Sequence, residues 1–237
     1  MPRLNPIRRK PELPPAQSDP ARWRPQAFGH KRARAIADPI VEPGWSGVRV
    51  LAHAGRNPDG STYATLSDEQ GIDCTAEFAD LAEAIAAANL GDEIVVDGWL
   101  TVQPTQPGEG VSLPLLETPG QGQLLAQMFG GGRARQAKPS RLLDPARPVA
   151  FVAVDLLLVD GSSLIEVPLL ERKRLLDSAL QVGELIRITP YVRPPIGSLA
   201  DTWRAVGFRE MVYKPANGRY LPAGEPSDWA IALIATR

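Results

Sequence analysis

The sequence predicts an α+β fold, in which antiparallel strands and helices alternate along the chain. Residues 45–54 alternate, with Val48, Val50 and Ala52 on one face, and an Asn-Pro-Asp-Gly turn at 57–60 joins them to a second strand at 61–66. Residues 76–89 repeat apolar side chains at helical spacing, and residues 149–159 form the most apolar strand. This order indicates a mixed arrangement with an antiparallel component.

The other elements follow in chain order. Thr75 is expected to cap the helix over 76–89, and residues 93–102 read as a buried strand with a kink at Gly98. Pro168 opens a helix that runs to about residue 180, with the charged residues 171–174 expected largely outside. A strand over 185–192, a helix capped by Ser198 and ended by Gly207, and strands over 211–214 and 229–235 complete the chain. The core candidates in this half are Leu156, Leu157, Leu169 and Trp229.

Two segments lack a regular apolar period. Residues 1–26 hold seven prolines and several arginines, which predicts a disordered basic arm. Residues 103–148 hold four prolines up to residue 119 and a Gly-Gly-Gly run, and they predict an irregular or mobile insertion with a short helix over 121–129. The folded domain is therefore expected over 27–237.

Composition places the chain among ordinary soluble proteins. It has 237 residues, of which 43% are hydrophobic and 22% charged, and it shows neither a bilayer-length apolar run nor a signal peptide. The single cysteine excludes an internal disulfide, and the two histidines offer little for a metal site. We expect a cytoplasmic protein without a membrane partner, and the excess of arginine over lysine indicates a bacterial source.

The net charge of −1 is unevenly distributed along the chain. Residues 1–40 hold nine Lys or Arg and three Asp or Glu, so the rest of the chain sums to −7. A mildly acidic body argues against a strong autonomous grip on DNA, whose phosphates attract cations, although a local basic patch remains compatible with this charge.

A series of short motifs points to one family. Residues 42–49 read Glu-Pro-Gly-Trp-Ser-Gly-Val-Arg, which resembles motif I of the ATP-dependent DNA ligases, Glu-Pro-Lys-Trp-Asp-Gly-Val-Arg. Similar matches follow in order at 96–100 (Val-Asp-Gly-Trp-Leu), 154–161 (Val-Asp-Leu-Leu-Leu-Val-Asp-Gly), 167–173 (Val-Pro-Leu-Leu-Glu-Arg-Lys), 207–214 (Gly-Phe-Arg-Glu-Met-Val-Tyr-Lys, motif IV) and 228–233 (Asp-Trp-Ala-Ile-Ala-Leu, motif V). The resemblance implies the ATP-grasp-like nucleotidyltransferase fold of DNA ligases and mRNA capping enzymes, with antiparallel sheets flanked by helices.

The family's chemistry implies a lysine that attacks the α-phosphate of ATP, with magnesium held by carboxylates. Gly44 stands at the position of that lysine, Ser46 replaces an aspartate, and Arg209 replaces the motif IV carboxylate. We therefore expect no catalytic residue, no metal site and no cofactor, with ATP and Mg relevant only if the family's activity survives. Because the chain ends eight residues after Trp229, we also expect no OB-fold domain.

Four residues remain candidates for nucleotide or DNA binding. The family uses the positions of Arg49 and Lys214 near phosphates, and an ion pair is as good an interpretation as ligand binding. Trp45 could stack on a base, although core packing is favoured, and Asp97 lies in the strand that matches the family's Asp-Gly-Glu. Strand alternation predicts that Glu210 points away from the cleft, and no lysine lies next to motif I in the sequence. Apolar side chains at the family's polar positions predict a partly filled cleft: Trp99, Val154, Ile231 and Leu233.

Three functional hypotheses follow. The first is a degenerate member that no longer adenylylates itself and binds a nucleotide, DNA or a DNA-repair protein. The second is an active ligase or adenylyltransferase with an unusual nucleophile. The third is a structural protein whose cleft binds nothing.

Overall fold

The computed structural model describes residues 19–102, 149–222 and 227–234. The strands are β1 (Pro39–Pro43), β2 (Val48–Arg56), β3 (Thr62–Asp68), β4 (Glu93–Thr101), β5 (Ala150–Val159), β6 (Ser162–Ser163), β7 (Ile186–Ile188), β8 (Glu210–Pro215) and β9 (Ala230–Leu233). The helices are α1 (Ala79–Ala88), α2 (Leu169–Ala179) and α3 (Gly197–Ala205), with short 3-10 turns at Pro20–Arg22, Ala33–Ala35 and Thr75–Phe78. The predicted insertion at 103–148, with its helix over 121–129, and the first part of the predicted arm lie outside the described residues.

The larger sheet has six strands and forms the centre of the fold. Its order is β3-β2-β4-β5-β6, all antiparallel, and β7 pairs in parallel with the start of β5. Alternation works as predicted: Val48, Val50 and Ala52 point to one face, where they pack with apolar residues of α1 and α2 such as Ile85 and Leu176. This face carries the main hydrophobic core, and the predicted α+β class is confirmed.

The smaller sheet, in the antiparallel order β1-β8-β9, packs against the opposite face of the larger one. Val152 and Val154 of β5 meet Val41 of β1 and Met211 of β8 across this interface. Strand β1 was not predicted, because its Pro-Ile-Val-Glu-Pro sequence is short and lacks alternation. The cleft described below opens between the two sheets.

The end of the predicted N-terminal arm belongs to the folded domain. Trp23 is 1% exposed and packs with Leu51, Leu157 and Trp229, and the backbone N–H of Gln26 donates to the Tyr220 hydroxyl. Burial of a whole indole outweighs the local preference of a proline-rich segment for disorder. Residues 19–26 therefore belong to the folded domain and not to the predicted arm. For residues 1–18 the disordered arm stays a prediction.

Both predicted helix caps are wrong. The Thr75 hydroxyl accepts a hydrogen bond from Leu66 N, which ties the turn to β3, and α1 itself begins at Ala79. Helix α3 begins at Gly197, with Ile196 as its N-cap and no side-chain capping bond. Tertiary contacts override the capping preference in both places.

Helix α2 also corrects an expectation about its charged run. Residues 171–174 were expected largely outside, but Arg172 and Lys173 are 0% and 1% exposed. Arg172 donates to both carboxylate oxygens of Asp155 on β5, at 2.8 and 2.7 Å, and Lys173 lies 2.5 Å from Glu42. Each cation is therefore buried because a buried carboxylate from another element meets it. None of the helices in the described ranges is long and apolar enough to cross a membrane.

Candidate ligand-binding cleft

A small cavity of about 90 Å³ lies between the two sheets, at the place where motif I begins. The larger sheet contributes Arg49, Trp99 and Val154, and the smaller sheet contributes the alternating residues Glu210, Val212 and Lys214 of β8. Typical ligand pockets enclose roughly 300–1,000 Å³, so this cleft as it stands admits a side chain or a small group rather than a nucleoside triphosphate. The remaining lining residues are Phe28, Glu42, Pro43, Gly44, Trp45, Trp229 and Ile231.

Gly44 sits at the edge of this cavity with its backbone pressed against β8. Its N–H donates to the carbonyl of Glu210 at 2.8 Å. A Cβ atom at position 44 would lie 2.7 Å from the Cβ of Glu210 and 2.9 Å from its backbone C and O atoms. Real Cβ contacts are not this short, and the opposing atoms are largely backbone. The position that carries the lysine in the resembled motif therefore has neither a side chain nor room for one.

Arg49 and Asp97, two of the predicted candidates, satisfy each other. Arg49 donates to both oxygens of Asp97 at 3.0 and 2.7 Å and to the carbonyl of Gln26, and Tyr220 donates its hydroxyl to Asp97 at 2.7 Å. Burial lowers the pKa of Arg49, but the charge and hydrogen bonds of Asp97, together with Tyr220 and Glu69, outweigh burial and hold the pKa above its usual value. The guanidinium also lies 5.3–5.9 Å from the ring centroids of Phe28, Trp99 and Trp229. The ion-pair interpretation of Arg49 is the one that the geometry supports.

Lys214 lies at the inner end of the cleft in a cluster that sequence reasoning did not foresee. The two carboxylate oxygens of Glu42, in motif I, each meet a lysine. One lies 2.6 Å from Lys214 Nζ, and the other lies 2.5 Å from Nζ of Lys173 on α2. Lys214 also lies 4.0 Å from the Trp229 ring centroid. Burial and the neighbouring Lys173 charge lower the pKa of Lys214, against the opposing effect of Glu42. Two lysines thus meet motif I in space, although none is near it in sequence.

The prediction that Glu210 points away from the cleft is wrong. Glu210, Val212 and Lys214 alternate on one face of β8, and that face lines the cavity. Because Lys214 lines the cavity, the alternation of β8 places Glu210 on the same face. The cross-strand partners of Glu210 and Val212 on β9 are Leu233 and Ile231, which are 75% and 44% exposed. Glu210, Val212 and Ile231 line the cavity, whereas Leu233, which was also expected to fill the cleft, is not a lining residue.

Trp45 lines the cavity but its indole is committed to packing. Its N–H donates to the Thr189 hydroxyl at 2.8 Å, and its ring meets Phe208 edge-on with centroids 4.8 Å apart. Only 8% of the residue is exposed. The favoured interpretation of Trp45 as a packing residue agrees with these contacts, whereas stacking on a base would require the ring to move.

The cleft does not fit ATP with magnesium in its present form. The cavity is small, its two cations are engaged by Asp97 and Glu42, and the space next to Gly44 is closed by the backbone of Glu210. Within the part of the chain that the structure describes, no group of three or more His, Cys, Asp or Glu side chains is arranged to hold a metal ion.

Comparison with solved structures places the fold. The chain superposes on the ligase domain of M. tuberculosis LigD with a TM-score of 0.61 and 23% identity, over 90% of this chain and 60% of that one. A structure of mycobacterial DNA ligase D complexed with ATP and MES matches with the same TM-score, 22% identity and the same coverage. The fold is therefore that of a DNA ligase nucleotidyltransferase domain, and the chain spans about 60% of the length of these neighbours. No protein-family model and no curated protein sequence matches the chain.

Proposed function

We propose that this chain is a DNA-ligase-like nucleotidyltransferase domain that does not attach AMP to itself and serves as a binding module for a nucleotide, DNA or a protein, with DNA repair as its setting. The observation that carries the proposal is the closure of position 44. Covalent adenylylation needs an amine at the reacting phosphorus. A glycine whose missing Cβ would overlap the Glu210 backbone supplies no amine and leaves no path for one.

The electrostatics of the cleft support the same conclusion. Cations that hold phosphates in an active site must be free to face the ligand, because each one already neutralised gains little from a phosphate. Arg49 is paired with Asp97 and donates to the Gln26 carbonyl, while Lys214 is paired with Glu42. Glu210 adds a carboxylate at the mouth, which repels a triphosphate.

Thermal denaturation with candidate ligands tests whether the domain is a binding module. ATP, AMP and nicked duplex DNA are added separately to the full chain. We expect at least one of them to raise Tm, because a ligand at about 100 times its Kd stabilises the folded state by about 2.7 kcal/mol. No shift with any of the three contradicts nucleotide or DNA binding and favours either a protein partner or the structural hypothesis. Repeating the titration at higher salt separates phosphate contacts from apolar ones.

One observation favours a second candidate, an adenylyltransferase with an unusual nucleophile. Lys214 lines the cleft, and its pKa is lowered by burial and by Lys173. In such a reaction the neutral amine of Lys214 attacks the α-phosphorus of ATP, an N–P bond forms, pyrophosphate leaves, and Glu42 takes the proton. We rank this second because the amine is held by Glu42 and packed on Trp229, and because the cavity is small.

Labelling separates the two candidates. The chain is incubated with α-labelled ATP and Mg²⁺ or Mn²⁺, in parallel with Lys214→Arg, which keeps the charge but is a far poorer nucleophile. The binding-module proposal expects no labelled band for either chain. A band that disappears in Lys214→Arg establishes the second candidate.

A further inference from the structure

A short exposed segment outside the cleft carries unusual positive charge. Residues 30–34 read His-Lys-Arg-Ala-Arg, and we call them the basic turn. All four basic side chains are exposed to solvent. The body of the protein is acidic, since the residues after position 40 sum to −7, so this turn stands out as a local positive surface.

The basic turn is anchored to the folded domain at both ends. Before it, the N–H of Gly29 donates to the Trp229 carbonyl at 2.8 Å, and a Cβ on Gly29 would overlap the Ser227 carbonyl. After it, Ile36 is 7% exposed and packs into the domain, while the 3-10 turn Ala33–Ala35 lies against β9. The positive charges are therefore held beside the small sheet and close to the mouth of the cleft, where Trp229 and Phe28 are lining residues.

Two of the charges are available to a ligand. Lys31 pairs with Asp228 at 2.5 Å. By contrast, the guanidinium groups of Arg32 and Arg34 have no hydrogen-bond or ion-pair partner among the residues that the structure describes. Several exposed arginines elsewhere are paired with carboxylates: Arg22, Arg174, Arg193 and Arg219. A guanidinium group can bind two phosphate oxygens through parallel N–H donors, so two such groups without partners among the described residues suit a phosphate ligand.

We infer that the basic turn contacts the phosphate backbone of duplex nucleic acid. The inference rests on the proposed function, which leaves the ligand class open, and it identifies both the ligand and the surface. The turn itself contains no Phe, Trp or Tyr on which an unpaired base could stack, so backbone contact without base recognition is expected. Binding should accordingly be insensitive to sequence and sensitive to salt.

Fluorescence anisotropy with a short labelled duplex tests the inference on the full chain. The double variant Arg32→Glu/Arg34→Glu is compared with Arg56→Glu/Arg174→Glu, which changes the net charge equally at exposed positions on other elements. We expect the first variant to bind the duplex about tenfold or more weakly. The slope of its log K against log salt concentration should also become shallower by about one to two, because each phosphate contact contributes roughly 0.9 to that slope. The control should bind within about twofold of the unchanged chain because it removes no phosphate contact.

Three outcomes overturn the inference. Equal losses in both variants mean that only net charge matters. If the unchanged chain does not detectably bind the duplex at low salt, duplex nucleic acid is not its ligand. If poly-glutamate competes as effectively as unlabelled duplex, the basic turn binds an acidic protein rather than nucleic acid. Equal Tm values of the two variants confirm that folding is not the cause, and none of these results depends on whether ATP labels the protein, so the proposed function is judged separately.

Discussion

Gly44 lies so close to β8 that the backbone leaves no room for a side chain at this position. Replacing it by lysine should not restore adenylylation, because the new Cβ would lie 2.7–2.9 Å from atoms of Glu210. We expect Gly44→Lys to lower the free energy of unfolding by roughly 1–3 kcal/mol, the usual cost of overpacking. Chemical denaturation measures the cost, and labelling with α-labelled ATP measures any gained activity.

Gly183 offers a matched control for that substitution. It has no atom within 4 Å of an added Cβ and its φ does not lie in the left-handed region, so Gly183→Lys should leave stability nearly unchanged. A Gly44→Lys protein that is as stable as the control and becomes labelled by ATP would show that the cleft opens readily, which contradicts the closed geometry described above.

The Arg49–Asp97 pair is expected to be a major contributor to stability. Both side chains are essentially inaccessible to solvent, so Asp97→Asn leaves a buried guanidinium without its counter-charge. Breaking a buried pair in this way typically costs about 3–5 kcal/mol. The exposed pair of Arg174 and Glu171 is the control, since Glu171→Gln should cost less than about 1 kcal/mol. Equal urea midpoints for the two variants would contradict the assigned role of Asp97.

Lys214 gives stability a pH dependence whose sign can be worked out. Its pKa in the folded state lies below the ordinary value of 10.5, so unfolding takes up a proton between the two values. The penalty on the buried ammonium is complete below the folded pKa and fades as pH rises toward the unfolded pKa. Relative to Lys214→Met, the free energy of unfolding should therefore increase as pH is raised from neutral to about 10. A constant or falling difference in urea unfolding would contradict this sign.

Individual residues were easier to locate from the sequence than their partners. Motif order placed Arg49, Asp97, Trp45 and Lys214 around one cleft, and all but Asp97 line the cavity while Asp97 binds Arg49. The convergence of Lys173 and Lys214 on Glu42 was not predicted, because those residues lie far apart in sequence and on different elements. Pairing across such separations depends on how helix α2 packs, which no local pattern reports.

At the scale of elements, periodicity carried most of the correct predictions. Strands β2, β4 and β5 were expected from alternation or apolar runs, and they form the centre of the larger sheet. Short strands without a period, such as β1, were missed, and the strand predicted over 185–192 is reduced to β7, Ile186–Ile188. Their pairing is decided by neighbouring strands rather than by their own residues.

The contacts of Gly98 explain why the central strand β4 has a glycine at this position. The register between β4 and β5 shifts between Asp97 and Gly98, in agreement with the predicted kink, and the Phe151 ring of β5 lies over the glycine. Gly98→Ala should destabilise the protein by roughly 1–3 kcal/mol, because the added methyl overlaps that ring. Guanidinium unfolding of Gly98→Ala beside Gly183→Ala measures the difference, and indistinguishable midpoints would show that the Phe151 ring moves aside freely.

At the scale of the whole molecule, the cleft is shaped by how the two sheets meet. Apolar replacements at Val154 and Trp99 on one side and Ile231 on the other were expected from the sequence to fill the cleft, and all three line a cavity of only about 90 Å³. Glu210 enters the cleft because it shares one face of β8 with Lys214, a consequence of alternation that the prediction for Glu210 did not use. The domain has the fold of a DNA ligase nucleotidyltransferase domain, and the backbone of Glu210 closes the space next to Gly44.

The most direct test of this account is the intact mass of the full-length protein, measured as purified and again after incubation with ATP and Mg²⁺ or Mn²⁺. A closed position 44 and an engaged Lys214 predict one unmodified mass under all conditions. A second species heavier by one AMP, located by peptide mapping to Lys214 or any other side chain, would show that the domain is an active adenylyltransferase and would contradict the central claim.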